Sequence, residues 1–223
     1  MDWRGLPVVI FGSGGISKEV YSIIEDINRC NNVPVFHFLG FVEDTEGKVG
    51  NEVISGHKVI TDDNQFEAFS NSFATLGVVI PIGNPNAKIN IYNKIKGLEN
   101  IVYPNIIHPR AQYNENTVIL GYGNVITAGA TLTCNITLGN FNLINLNTTV
   151  GHDTVIGNFN VINPLVAVSG DIVIKDGCLI GTGAKILQQL KVDEGSTIGA
   201  GAVVVKDVEA YSTVVGIPAK KIK

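Results

Sequence analysis

"TLGNFNLIN" spans residues 137–145 and "VIGNFNVIN" spans 155–163. Six of the nine letters are identical, the other three exchange residues of similar shape, and the shift is 18. Working outward in sixes, Ile119 to Val208 divides into fifteen units, among them "VIGNFN", "LIGTGA" and "TIGAGA". The second letter of every unit is aliphatic, from Leu120, Ile126 and Leu132 through to Ile198 and Val204. A period of six is neither the 3.6 of a helix nor a plain two-residue alternation. It fits a short extended run with one inward residue, closed by a corner. Three such units complete one turn of a three-sided coil. Gly139 then stacks on Gly157, Phe141 on Phe159, Asn145 on Asn163 and Gly181 on Gly199, with successive coils ~4.8 Å apart.

Fifteen inward aliphatic side chains, at roughly 1.5–3 kcal/mol each when buried, supply the core of such a coil. Its corners call for residues that tolerate positive φ, which is the expected reason for the many glycines and asparagines of this region. Its open ends expose unpaired strand edges, so residues before 108 and after 208 are expected to cover them.

The first half has a different texture. "VVIFGSGG" (8–15) reads as a buried strand entering a glycine turn, and "ISKEVYSIIEDIN" (16–28) continues at helical spacing. Such a turn can seat a phosphate at the helix start. Gly12, Gly14 and Gly15 depart from the dinucleotide fingerprint, and Ser17 occupies the place of its third glycine. "FHFLGFVED" (36–44) reads as a second strand ending at Glu43 and Asp44. "LGVVIPIGN" (76–84) is a third, ending at Gly83 and Asn84, before the helix-like "NAKINIYNKIKG" (86–97). In open parallel sheets ligands collect outside the carboxyl ends of the strands, so these three ends are expected to frame a nucleotide pocket. The chain therefore divides into an α/β domain over 1–107 and a β-helical domain over 108–223.

Bulk properties exclude several classes. Charged residues are 16 % of the 223, yet no apolar run reaches the ~18 residues of a membrane span. A start of "MDWRGLPVVIFGSGG" has no secretory pattern, which leads to an expectation of a cytoplasmic protein. Net charge −4 and pI about 5.5 give no footprint for nucleic acid or an anionic membrane surface. Cys30, Cys134 and Cys178 are too scattered for a disulfide framework or a zinc site and read as buried thiols.

Between Asn116 and Gly170 there is no Lys, Arg or Glu, and apart from Tyr122 and Cys134 the only titratable groups are the neighbours His152 and Asp153. An apolar coil has no structural need for an imidazole beside a carboxylate, whereas general-base chemistry near neutral pH uses that combination. The other reading is a solvent-exposed corner, since the same position of other units holds Tyr122, Ala128, Asn158 and Lys206. His37, His57 and His108 read as surface or junction residues. The lysines of this half, Lys175, Lys185, Lys191, Lys206, Lys220, Lys221 and Lys223, all follow residue 174. They would draw a polyphosphate ligand, or simply keep an apolar coil soluble.

The repeated units, together with the closing "VVGIPAKKI" (214–222), resemble the hexapeptide-repeat acyltransferases with their left-handed parallel β-helix. With the α/β pieces in front, nearly the whole chain resembles the sugar O-/N-acyltransferase family, which includes nucleotide-amino-sugar N-acetyltransferases and sialic acid O-acetyltransferases. The resemblance implies a Rossmann-like domain holding a nucleotide sugar through Gly14, Gly15, Ile16, Glu43 and Asp44, with Ile16 standing where some relatives have histidine. "VGHDTVIG" (150–157) resembles the family segment that carries a catalytic histidine followed by an acid, which implies His152 as general base with Asp153 beside it. Val161 replaces a further histidine of some relatives. The resemblance also implies acetyl-CoA lying along the later coils between subunits of a homotrimer, touching backbone at Gly170, Thr182 and Ala200; among the late lysines Lys220 is then the candidate to meet its phosphates, and no metal is required. The implied reaction is acetyl transfer to the amine of a UDP-, dTDP- or GDP-linked 4-amino-4,6-dideoxy sugar. The alternative within the class is O-acetylation of a hydroxyl such as one on sialic acid. Outside it stand a non-catalytic β-helical scaffold and a zinc enzyme of the β-helical carbonic anhydrase kind. The last needs three converging imidazoles, and only His108 and His152 lie in or near the repeat.

Overall fold

The computed structural model describes residues 3–223. It has two compact units, one running to Gly83 and including Ala87–Pro109, the other comprising Asn84–Asn86 and Arg110–Lys223.

In the first, β1 (Leu6–Phe11), α1 (Gly15–Arg29), β2 (Phe36–Glu43), β3 (Glu52–Ile54), β4 (His57–Asp62), α2 (Phe66–Ser70), β5 (Leu76–Val79), α3 (Pro85–Ile95) and β6 (Ile101–Val102) follow one another. The sheet order is β3-β4-β2-β1-β5-β6, with only β3 antiparallel. Val8, Val9 and Ile10 are fully buried, as a central parallel strand covered on both faces requires. Val20, Ile23 and Ile24 form the buried stripe of α1. The expected strands are adjacent in the order β2-β1-β5, and β4 adds a fourth parallel strand end that the sequence reading missed. His108 is buried with Nε2 3.1 Å from Asp26 Oδ2, and His57 packs on the rings of Tyr21 and Phe38.

The second unit is a parallel coil of three flat faces. Each short strand pairs with the strand 18 residues on, as in Leu138↔Ile156, Ile144↔Ile162 and Val150↔Val168. The inward aliphatics from Ile126 to Val204 are all buried, and Leu120, on the first rung, is half-buried. A second internal ladder is polar. Asn124, Asn142 and Asn160 are buried one above another. Each carboxamide oxygen accepts the backbone N–H one coil on: Asn142 N to Asn124 Oδ1 2.8 Å, Asn160 N to Asn142 Oδ1 2.9 Å, Cys178 N to Asn160 Oδ1 2.7 Å. At the far end Thr213–Val215 extends one face, and Lys220–Lys221 folds back antiparallel on it, so the tail covers that edge.

Two sequence expectations need correction. The glycine after the aliphatic residue is not a positive-φ residue. At Gly139 an added Cβ would stand 2.6 Å from the Gly157 carbonyl oxygen, so this glycine permits close approach of successive coils. Positive φ belongs to the corner positions, where Phe141, Phe159, Leu165 and Gln189 adopt it as well as glycine and asparagine. Of the three thiols only Cys178 is buried. Cys30 follows the last turn of α1 and Cys134 sits on an outward corner, and both are exposed. Among the described residues no helix is long and apolar enough to cross a membrane, and no group of three His, Cys, Asp or Glu could hold a metal ion.

Candidate active site

One corner of the coil follows the strands Thr131–Leu132, Thr149–Val150, Ala167–Val168 and Lys185–Ile186. Cys134, His152, Gly170 and Gln188 occupy one column of it, and Asn135, Asp153, Asp171 and Gln189 the next. Residues of the second column have φ between 55° and 63°. Neighbouring side chains in an extended strand point to opposite faces, and the left-handed turn at Asp153 cancels that alternation. His152 and Asp153 therefore both project outward and meet, with Nδ1 2.7 Å from Asp153 Oδ2. A carboxylate only accepts, so Nδ1 carries a proton in this contact, and in the neutral ring Nε2 is the atom that presents a lone pair.

Asp153 is held in turn. Asn135, one coil back, donates from Nδ2 to Asp153 Oδ1 at 3.1 Å. The hydrogen bond from His152, then that from Asn135, keeps the Asp153 carboxyl below its ordinary range. On the other side of the ring, a Cβ at Gly170 would lie 2.6 Å from Nε2, so the missing side chain is what leaves this nitrogen room. The pair, Gly170, Asp171, Gln188 and Gln189 line an open cleft of about 400 Å³.

Of the residues expected to hold a donor, only Gly170 shares this cleft. Thr182 and Ala200 are exposed on a different corner, and Lys220 is exposed in the C-terminal strand. Part of the late positive charge is locally neutralised, Lys191 by Asp193 at 2.8 Å and Lys221 by Glu209 at 2.6 Å. Val161 is buried within its face of the coil.

The α/β unit carries a second cavity, of about 300 Å³, outside its strand ends. Gly12, Glu43 and Asp44 line it, with Ile82 and residues of α3 opposite. Glu43 Oε1 accepts from the backbone N–H of Ser13 at 2.7 Å and from the Ser13 hydroxyl, while Oε2 meets Lys48 Nζ at 2.8 Å. Burial pushes the Glu43 carboxyl up, and the hydrogen bonds and charge of Lys48 with those of Ser13 outweigh it, leaving it below the usual range. Both oxygens are thus occupied, Oε1 by the glycine turn and Oε2 by Lys48, whereas Asp44 is largely exposed. Gly14 precedes α1 and Gly15 and Ile16 open it beside the cavity without lining it. Gly83 and Asn84 follow the lining residue Ile82 and are likewise outside. Sequence reasoning missed Asp63 and Lys94, which line the cavity as an ion pair of 2.6 Å. The run "VITDD" at the end of β4 was the available signal.

Residues 7–95 match the model of the PglD N-terminal domain. The acetyltransferase domain of PglB from Neisseria gonorrhoeae FA1090 superposes with a TM-score of 0.84 at 29 % identity, covering 97 % of this chain and 99 % of that one. A second structure of that domain is a complex with acetyl coenzyme A. WeeI from Acinetobacter baumannii AYE superposes at 0.81 with 26 % identity, over 97 % and 100 % of the two chains. A mutant perosamine N-acetyltransferase from Caulobacter crescentus, in complex with CoA and GDP-perosamine, superposes at 0.87 with 24 % identity and 97 % of each chain, and shares the fold. No curated protein matches the sequence. The architecture is a Rossmann-like N-terminal domain followed by a left-handed parallel β-helix.

Proposed function

We propose that the chain is a hexapeptide-repeat sugar acyltransferase, as its likeness to the PglB acetyltransferase domain and to WeeI supports, and that it transfers an acetyl group from acetyl-CoA to the amine of a nucleotide-linked amino sugar, a 4-amino-4,6-dideoxy sugar. The observation that carries this reading is the His152–Asp153 pair, with Nε2 free over Gly170 in an open cleft. In this reading the amine attacks the thioester carbonyl and Nε2 takes its proton. Backbone N–H groups of the coil steady the oxyanion, and the proton passes to the sulfur as the C–S bond breaks. Asp153 fixes the tautomer and stabilises the imidazolium. The cavity outside β1, β2 and β4 takes the nucleotide. The PglB complex with acetyl coenzyme A supports the donor.

Thr182, Ala200 and Lys220 lie away from the cleft of their own chain, so in this reading they serve a donor groove completed by a neighbouring copy in a homotrimer. Thiol release from acetyl-CoA across UDP-, dTDP- and GDP-linked amino sugars, with free sialic acid included, tests the assignment. One amino sugar should stand out, and His152→Ala should lower its rate roughly 10²–10⁴-fold with the fold retained. Equal rates for His152→Ala and wild type would refute the role given to this imidazole.

A further inference from the structure

An aliphatic amine reaches a protein near neutral pH mainly as an ammonium ion, and a sugar hydroxyl arrives uncharged. The charge of the cleft therefore bears on which acceptor it takes. Two carboxylates line it. Asp153 is committed to His152 and Asn135. Asp171 lies one coil on, in the same column, exposed, and its carboxylate makes no hydrogen bond or ion pair among the described residues.

Nothing nearby compensates Asp171. Gln188 and Gln189 are neutral, and residues 111–174 contain no Lys or Arg. Lys185, on the adjoining strand, turns its ammonium away to the Gly183 carbonyl oxygen at 3.2 Å. Lys206 stands in the His152 column two coils beyond Gly170, roughly 10 Å away. One uncompensated negative charge thus sits beside the base.

We infer that Asp171 docks the ammonium of the acceptor and selects an amine over a hydroxyl, making nitrogen the atom acylated. The inference rests on the transfer reading above. The docked ammonium releases one proton to solvent. The C–N bond then forms, the C–S bond breaks, and a second proton passes from the nitrogen through His152 Nε2 to the departing sulfur. The products are an amide and a free thiol. Coil spacing of ~4.8 Å keeps an amine held at Asp171 within reach of a ring lying over Gly170.

Asp171→Asn is the informative variant, because asparagine keeps the shape and tolerates φ of 57°. Its apparent KM for the amino sugar should rise roughly five- to twentyfold, the range of one charge-assisted contact in a half-open site. The KM for acetyl-CoA should stay put. Raising ionic strength from about 0.02 to 0.5 M should weaken the wild type toward the variant. Calorimetry with the amino sugar nucleotide and its counterpart bearing a hydroxyl in place of the amine should show wild type preferring the amine and Asp171→Asn indifferent. An unchanged KM, or equal weakening of both ligands, overturns the assignment of Asp171 and leaves acetyl transfer standing. Absence of transfer by the wild type to any amine overturns the transfer reading and this inference with it.

Discussion

Glu43 and Asp153 stand at comparable places, each at or just past the end of a short parallel strand, and each carboxyl is held below its ordinary range. Their partners differ. Glu43 meets an ammonium group on one oxygen, and on the other a backbone N–H and a hydroxyl of Ser13 that tie the glycine turn to β2. Asp153 meets an imidazole and a carboxamide, and it remains beside an open cleft. Acidity alone does not separate a clamp from a positioning group; the partner does. A carboxylate spent on a fixed cation holds structure, and one spent on a ring that can gain and lose a proton can serve chemistry. The two units also satisfy their polar groups differently. In its asparagine ladder the coil uses the same residue 18 positions away, and the α/β unit uses partners that occur once.

The sharpest break of that contrast lies in the asparagine ladder. Asn142 Oδ1 accepts from Asn160 N at 2.9 Å and Asn160 Nδ2 at 3.0 Å, and its own Nδ2 donates to Asn124 Oδ1 at 3.1 Å and the Gly157 carbonyl at 2.9 Å. Asn142→Ala leaves several buried groups without partners, at about 1–3 kcal/mol each before relaxation. We expect a loss of roughly 2–5 kcal/mol, read by denaturant unfolding. Each coil contacts only its neighbours, so hydrogen exchange should rise first in the flanking coils. A loss below about 0.5 kcal/mol would mean that water replaces the carboxamide and that the ladder is not structural.

A smaller effect is expected at Asn135. Asn135→Gly removes the donor to Asp153 while keeping a residue at ease with φ of 55°. If Asn135 steadies the carboxylate that steadies the ring, kcat should fall roughly three- to tenfold with the KM for both substrates nearly unchanged, the pattern of lost transition-state stabilisation. A rise in KM with constant kcat would show instead that Asn135 belongs to substrate binding.

The coil was legible because one environment recurs, so each aliphatic position from Ile126 to Val204 reports the same inward register. His152 and Asp153 were legible because between Asn116 and Gly170 the sequence has no Lys, Arg or Glu and no other Asp. The glycines were harder to interpret. Positive φ and close approach both call for glycine, and only the stacking of Gly139 on Gly157 distinguishes the two causes. Ser13 with Glu43, and Asp63 with Lys94, are separated by 30 and 31 residues; the first pair meets through the β2-β1 adjacency and the second joins the end of β4 to α3 under the β4-β2-β1-β5 order. No local pattern encodes that order. Nothing local in the sequence marks Asp171; only the 18-residue register places it beside the histidine.

The smallest effect should be at Glu43, and its sign follows from linkage. The native carboxyl titrates below the ordinary 4.5, so the unfolded chain binds the proton more tightly than the native one. Glu43 therefore contributes stability that is fully present above about pH 5 and is lost as pH falls through its native value. Solvent around Lys48, which is nearly half exposed, limits that contribution to about 1 kcal/mol or less. Glu43→Gln should lower the unfolding free energy by that amount at pH 7, and the two proteins should converge in acid. Binding of a nucleotide to the nearby cavity should suffer beyond this only if Glu43 leaves its clamp to meet the ligand. A variant that unfolds like wild type but loses affinity more than tenfold would overturn the assignment of Glu43 as a structural clamp, and with it the contrast drawn between the two carboxylates.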